Sequence, residues 1–543
     1  MDRRTLIAIL LIIVVFWLSN ELIWKNRKPE SEQGLPESSQ ETMAQEESEP
    51  YSLPVTSEEI KEKEPEVIKT EPVPDNIEID ENIKLENENL ILIFSNQGGV
   101  LKSIILKNYF LEDKITPVNL IPTGTQNMNL EMTTIEGNRI NLGARIFSFE
   151  LYPEHKQISF QQSFNGNTVK KIFTLKEDNQ IILQIEYNGN SQITNYNLGF
   201  ESGIADTEEY LKHKSRDYKA ISMVGNELKK VQLSKLKEKK EYTGNVDWAA
   251  VKSKYFTLAI VPSELVSIKN LLIYDAGGSP AINMTTHVND NIFAHEYELY
   301  FGPLVYDKIR NFHPGLENLV EMGPKIIQWI SKIFLSFLKI LNSLIPNWGI
   351  CIIIFAFLLK ILLYPLTHKS FESSHKMQKI QPKLKELQAK YKNDPRTLNV
   401  EMKKLYQEHG VSPLGGCLPM LLQMPILFAL YPILRYSIDL RQTSFLWLPD
   451  LSEPDGTLIL PIAMAIFMFI QQKLMAPSKK TSENMDEKQQ AAMQSQKMMM
   501  YIMPVFMFFI FKSLASGLVL YWTVFSIMST IQQHFIKKSF IKE

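Results

Sequence analysis

Lys360 is the residue whose placement demands a chemical explanation. It lies inside the apolar run Gly349–Leu366, about six residues or 9 Å from the end that meets a basic loop. An ionisable side chain at that depth faces a partner or a water-filled cavity, or snorkels to the interface. No Asp or Glu falls within any apolar run of the C-terminal half, so no counter-ion is at hand. Ala356, Tyr364 and Thr367 share its helix face by spacing. Gln423 and Tyr431, Gln471 and Gln472, and Tyr521, Thr523, Ser526, Ser529 and Thr530 stand in later runs. Singly, each is ordinary helix-packing glue. Together with a lone cation they outline a polar groove within a bilayer. Methionines are dense between Met485 and Met507, and such side chains suit surfaces that meet many apolar partners or simply fill gaps.

Other chemistries lack their parts. There is no Walker loop, no G-x-G-x-x-G and no H-E-x-x-H; His295-Glu296 has no second histidine. Cys351 and Cys417 are the only cysteines, and both lie in or beside apolar runs. A disulfide framework or a Cys-based zinc site is therefore not available, and no cofactor is expected. An intramembrane Ser–Lys hydrolase could use Lys360 as base, but the sequence identifies no nucleophilic serine for it. A polytopic transporter or channel with an extracytoplasmic binding domain is the alternative. It would usually show paired intramembrane acids or broken helices in repeated halves, and neither is present.

The elements that position these residues follow from the distribution of apolar side chains. At 543 residues, and about 150 per domain, a soluble chain would form three or four domains. The mean hydropathy of −0.11 hides an uneven pattern. Residues 6–18 carry no charge, and further apolar runs crowd the stretch after Ile326. Pro29 to Asp80 holds 16 acidic and 3 basic residues against a net charge of −2 for the whole. That segment buries too little apolar surface to offset its ordering entropy and reads as a disordered tether. The basic excess elsewhere flanks apolar runs, where Lys and Arg orient a membrane protein.

The first span, roughly Leu6–Trp24, lacks a small-x-small cleavage site and reads as an uncleaved signal anchor. Five more spans are predicted at about Gly349–Leu366, Leu414–Ile438, Thr457–Met475, Met498–Phe511 and Leu514–Gln533. The loop 368–410 has ten basic and five acidic residues. By the positive-inside bias it is cytoplasmic, together with 476–497 and both termini. The run Met498–Phe511 would cover about 21 Å of a hydrocarbon core about 30 Å thick, so it should thin the bilayer locally. Lysines recur at seven-residue spacing along 325–345 at Lys325, Lys332 and Lys339, which suits an amphipathic helix in the membrane interface.

Between Glu81 and Leu316, short alternating runs such as Leu90–Phe94, Ile146–Leu151, Gln157–Phe164, Val169–Leu175 and Ile181–Tyr187 predict an extracytoplasmic β-sandwich. Asn165-Gly166 and Glu177–Asn179 supply its turns. The chain thus divides into a signal anchor (1–24), an acidic disordered linker (25–80), the β-sandwich (81–318) and an interfacial amphipathic helix (319–346). A five-span core (347–536) and a short basic tail (537–543) follow. Within the core, 368–410 reads as a cytoplasmic helical hairpin. Phe371, Met377, Ile380, Leu384, Leu387 and Tyr391 stripe one arm, with Pro382 as a kink. Asn393-Asp394-Pro395 forms the turn, and Leu398, Met402, Leu405 and Tyr406 stripe the other arm before Gly410.

Several motifs are more specific. They are Asn347-Trp348-Gly349, Tyr364-Pro365-Leu366-Thr367, Pro413-Leu414-Gly415-Gly416-Cys417-Leu418-Pro419, Gln423-Met424-Pro425-Ile426 and Ser516-Gly517-Leu518-Val519-Leu520-Tyr521. Together these closely resemble the YidC membrane protein insertase family. Lys254-Tyr255-Phe256 and Tyr300-Phe301-Gly302-Pro303 resemble its long, Gram-negative form. The resemblance implies a multi-pass α-helical inner-membrane protein with a five-helix insertase core and a large periplasmic β-supersandwich. It further implies a non-enzymatic insertase and chaperone with a positively charged hydrophilic groove, working alone or with the Sec translocon. The polar tail of a nascent inner-membrane protein would enter near Lys360, and its apolar helix would slide out past Met424, Leu427 and Phe511, with Tyr521 lining the path. Ala356, Tyr364, Gln423, Thr523 and Ser526 are the further groove candidates. Implied partners are the lipid bilayer, the ribosome and targeting factors at the cytoplasmic loops, with no nucleic acid beyond ribosome contact. The family's groove cation is usually Arg, whereas here it is Lys360, which lacks the planar fork. The tail after Gln533 is too short for ribosome docking by a long basic extension.

Overall fold

The computed structural model of the chain describes residues 78–392, 394–411, 418–475 and 501–542. The predicted signal anchor, nearly all of the acidic linker, the loop 476–497, most of the methionine-dense segment and Pro413–Cys417 lie outside the described residues. The β region contains a four-stranded antiparallel sheet (Ile83–Glu86, Leu90–Ser95, Val100–Phe110, Pro117–Asn119) and a thirteen-stranded one. Alternate side chains of both point into one hydrophobic core. Phe94 of the small sheet meets Phe160 and Phe173 of the large one at ring-centroid distances of 5.5 and 4.8 Å. Lys171 crosses this core and donates to the carbonyls of Gly98 and Met128 at 3.1 and 2.7 Å. Its burial lowers the ammonium pKa to about 7.

The strands Gln157–Phe164 and Asn167–Leu175 are joined by Asn165-Gly166, with φ of 48° and 74°. Two positive φ values are what a type I′ hairpin turn requires. The run predicted to end at Tyr187 is much longer, a strand Gln180–Phe200 of 21 residues. It pairs along most of its length with the 24-residue strand Pro280–Pro303. Asn188–Ser191 resembles a turn, but the strand absorbs it as a bulge between Asn188 and Ile193. The run expected over Ile146–Leu151 forms the edge strand Ser148–Tyr152.

Helices dominate from residue 306 onward: α1 (Tyr306–Phe312), α2 (Gln328–Leu344), α3 (Trp348–Lys390), α4 (Pro395–Glu408), α5 (Leu418–Tyr436), α6 (Ile459–Met475), α7 (Tyr501–Phe511) and α8 (Ser516–Lys542). Among the described residues, Trp348–Ser373 is long and apolar enough to cross a membrane, and Ile459–Leu474 and Tyr501–Phe511 are shorter apolar helices. Two boundaries differ from the expectation. The helix predicted to end near Leu366 runs on through Pro365 and Pro382 for 43 residues, so span and first hairpin arm are one element. A proline removes a single rung from a helix, and flanking packing can hold the remainder. Residues 537–542, expected as a tail, continue α8. On α2, Leu338 packs inward and Ser331 donates to the Ala429 carbonyl at 3.2 Å, leaving Trp329, Ile333, Ile340 and Leu344 exposed. Its lysines meet α1: Lys332 lies 4.7 Å from the Tyr306 ring centroid and Lys339 lies 3.8 Å from Asp307.

The hairpin arms meet through Met377, Ile380, Leu384 and Leu387 of α3 and Leu405 and Tyr406 of α4. Asp394 caps α4 by accepting from the Thr397 amide at 3.2 Å, with Pro395 in its first turn. Gly410, at φ 58°, closes it; the amides of Gly410 and Val411 bond back to the carbonyls of Gln407 and Tyr406. Phe371 is an exception to the predicted stripe, since its ring lies 5.7 Å from the Lys360 ammonium.

Candidate functional site

The helical core is organised around the contact of α3 with α8. Tyr521, Phe525, Ser529 and Gln532 recur at four, four and three residues on α8, one face of a helix. Each finds a partner across the packing seam. The Lys360 ammonium donates to the Ser529 hydroxyl at 2.8 Å and lies 4.6 Å from the Phe525 ring centroid. Thr367 and Gln532 exchange hydrogen bonds at 3.2–3.3 Å, two turns beyond. In the other direction Gln423 of α5 donates to the Tyr521 hydroxyl at 3.0 Å. Lys360 is 3% exposed, and no carboxylate pairs with it among the described residues. A neutral hydroxyl and two aromatic faces orient the cation without cancelling its charge. Ser529 also donates to the Phe525 carbonyl at 2.8 Å, which aims its lone pairs at the ammonium.

The predicted site residues divide between this seam and other places. Lys360, Gln423, Tyr521 and the buried Ala356 belong to it. Tyr364, despite its spacing from Lys360, turns outward and stacks on His368 at 5.5 Å. Thr523 spends its hydroxyl on the Val519 carbonyl of its own helix at 2.7 Å, and Ser526 is buried. Met424 and Leu427 are half-buried on α5, whereas Phe511 is buried against Trp522 at 5.3 Å. Tyr431 points to the β domain, where Arg216 donates to its hydroxyl at 3.4 Å. Phe525 and Gln532 were not singled out from sequence; their periodicity with Tyr521 and Ser529 was the available signal.

A second polar cluster, which sequence reasoning also missed, fastens the β domain to the helices. Asp217 accepts from Arg435 at 2.8 Å and from the Tyr436 hydroxyl at 3.0 Å. Arg441 donates to Glu208 at 2.8 Å, and Lys254 pairs with Glu453 at 2.6 Å. Tyr255 donates to the Arg435 carbonyl at 3.3 Å, and Gln442 donates to the carbonyls of Phe110 and Leu111 at 2.9 and 2.8 Å. Burial raises the pKa of both Glu208 and Glu453, against the opposing pull of Arg441 and Lys254. No group of three or more His, Cys, Asp or Glu is placed to hold a metal among the described residues.

Two family models match adjoining parts of the chain: the YidC periplasmic domain over residues 82–337 and the 60Kd inner membrane protein over 340–543. The membrane protein insertase YidC of Chlorobium limicola is 31% identical over 508 residues, covering 85% of this chain and 83% of its own. That of Chlorobaculum tepidum is 30% identical over 591 residues, covering 100% of this chain and 96% of its own. A crystal structure of an active YidC insertase with its first transmembrane domain resolved aligns at 18% identity and a TM-score of 0.35, covering 84% of this chain and 92% of that one.

Proposed function

We infer the path a substrate takes from one premise, that this chain belongs to the YidC membrane protein insertase family. It is a membrane protein insertase of the inner membrane with a periplasmic domain rich in β-sheet, and nascent membrane proteins are its substrates. In the proposed mechanism α3, α5, α6, α7 and α8 cross the bilayer as a five-helix core, and an N-terminal anchor makes a sixth span. Both termini are then cytoplasmic, and α2 rests in the periplasmic interface with its exposed Trp329, Ile333, Ile340 and Leu344 toward lipid.

The observation that carries the mechanism is the uncompensated charge of Lys360. An acidic or polar tail entering between α3 and α8 brings carboxylate oxygens to the ammonium, which has three N–H donors and keeps its bond to the Ser529 hydroxyl. Hydrogen bonds to charged groups are worth about 1.5–3 kcal/mol, enough to favour entry without trapping the tail. The hydrophobic helix that follows leaves past Met424, Leu427 and Phe511 into lipid, so no covalent step and no nucleotide is required. The basic hairpin of α3 and α4 offers the surface for the ribosome and targeting factors, and the Sec translocon is the proposed partner for larger substrates.

The test is protease-protected insertion of a small two-span protein into liposomes holding the purified chain. Wild type and Lys360→Arg should insert it, and Lys360→Ala should fail. Undiminished insertion by Lys360→Ala would remove Lys360 from the mechanism.

A further inference from the structure

The loop between α5 and α6 carries an apolar tip that neither the groove nor the β-domain contacts use. Phe445 and Leu448 exchange two backbone hydrogen bonds, both 2.9 Å, which makes Leu446-Trp447 the apex of a two-residue hairpin turn. Leu446 holds φ at 53°, a conformation that turns of this size normally assign to Gly, Asn or Asp. Yet Leu446 is 74% exposed and Trp447 42% exposed. A bulky apolar residue in a left-handed conformation, presented outward, lacks a folding rationale if water is what surrounds it.

The flanks fix where the tip sits. Leu448 is buried in the helical core, and the Phe445 ring lies against Gly349 in the first turn of α3. The Trp447 side chain lies beside the Asp455 carboxylate, which accepts from the Leu460 amide at 2.8 Å in the first turn of α6. The apex therefore stands at the beginnings of two apolar helices at once. Exposed Ile350, Ile459 and Ile462 continue its apolar surface along those helices. The same loop grips the periplasmic domain through Arg441, Gln442 and Glu453, so this end of the helices faces the periplasm.

We propose that the Leu446–Trp447 tip is a lipid anchor, seated in the headgroup and upper acyl region of the periplasmic leaflet. A half-exposed Trp beside a fully presented Leu suits that zone, where an amphipathic indole ring sits at headgroup level. One loop then holds lipid with its apex and the β domain with its flanks, and so sets the height of that domain above the membrane. This rests on the reading that α3 and α6 cross the bilayer.

An environment-sensitive fluorophore at L446C, in the full chain with Cys351 and Cys417 replaced by serine, tests it in phosphatidylethanolamine–phosphatidylglycerol liposomes. The same label is placed at I466C, exposed midway along α6, and at N226C, exposed on a β-domain hairpin. Lipids carrying a quencher high on the acyl chain should extinguish the L446C signal more than lipids quenched deep in the chain. The order should reverse for I466C, and N226C should be unaffected. Quenching of I466C but not of L446C overturns the anchor alone, whether the tip is then bathed in water or covered by protein. Quenching of neither overturns the spanning arrangement as well. Trp447→Ser, which leaves the turn residue in place, should weaken the shallow quenching at L446C; an unchanged profile would also overturn the anchor.

Discussion

Arg435, at the end of α5, donates through Nη2 to a carboxylate oxygen of Asp217 at 2.8 Å, and each side chain is only 5% exposed. The two residues stand 218 positions apart in the chain, one at the end of a core helix and the other on a single helical turn of the β domain. Removing one partner of a buried pair typically costs about 3–5 kcal/mol, because the remaining charge stays buried without compensation. Asp217→Ala should destabilise the detergent-solubilised full chain by about that amount. Asp217→Ala with Arg435→Ala together should cost less than the sum of the two single changes. Strict additivity across that cycle would show the pair to be uncoupled.

Glu321 supplies an acid-sensitive element at the junction with α2. Burial pushes its carboxyl up, but Lys252 and Lys219 outweigh that and hold it down at about 2, against an ordinary value of 4.5. A depressed carboxylate stabilises the fold in full above about pH 4.5, and that contribution is lost as pH falls toward about 2. Glu321→Gln should be less stable than wild type by about 3 kcal/mol at pH 7. It should also lose less stability than wild type between pH 4.5 and 2. Thermal unfolding across that range checks both, and parallel curves would rule the linkage out.

Ser529 accepts from the Lys360 ammonium at 2.8 Å, so in the proposed mechanism its hydroxyl matters even though it never bears charge. Ser529→Ala removes the only hydrogen-bond acceptor observed for Lys360 among the described residues. The loss of a bond to a charged group is worth about 1.5–3 kcal/mol. Ser529→Ala should lower the insertion rate by roughly tenfold, and Ser529→Thr should restore most of it. Equal rates for Ala and wild type would assign the positioning of Lys360 to Phe525 and Phe371 alone.

Gly349 is fixed by a neighbour rather than by its own backbone angles. A Cβ at this position would lie 2.1 Å from the Phe445 ring. Gly349→Ala must push that ring aside, and overpacking of this kind costs about 1–3 kcal/mol. The prediction is a lower melting temperature together with faster proteolysis in the loop 439–456. Phe445→Ala in the same background should recover part of the loss. A stable Gly349→Ala protein with an unaltered loop would show that the ring has room to move.

The parts of this structure that local chemistry determines were legible from sequence. Asn165-Gly166 demands two positive φ values and receives them. Gly410 ends its helix in the left-handed conformation, and Lys360 is conspicuous because an apolar run has no ordinary place for an ammonium. What escaped was set by distant packing. Asn188–Ser191 has the composition of a turn, but pairing with Pro280–Pro303 carries the strand through it. Pro365 reads as a helix end, yet α3 continues through it, tied to α8 by Lys360–Ser529 before the proline and by Thr367–Gln532 after it. Tyr364 has the right spacing to join Lys360, but its ring has His368 to stack on and open surface to face. The pairs Arg435–Asp217, Arg441–Glu208 and Lys254–Glu453 join segments roughly 200 residues apart, and no periodicity announces such partners.

The unbroken run of α3 makes it a lever. Its 43 residues span about 65 Å, with Lys360 about 18 Å from the outer end and about 45 Å from the hairpin turn. Pro365 lies just beyond this fulcrum, on the long arm. If the rod pivots at Lys360, a sideways displacement of about 5 Å at the hairpin becomes about 2 Å at the outer end, in proportion to the arm lengths. Force applied by whatever docks on the hairpin is thereby delivered, shortened and strengthened, to the outer end, where Gly349 meets the Phe445 ring.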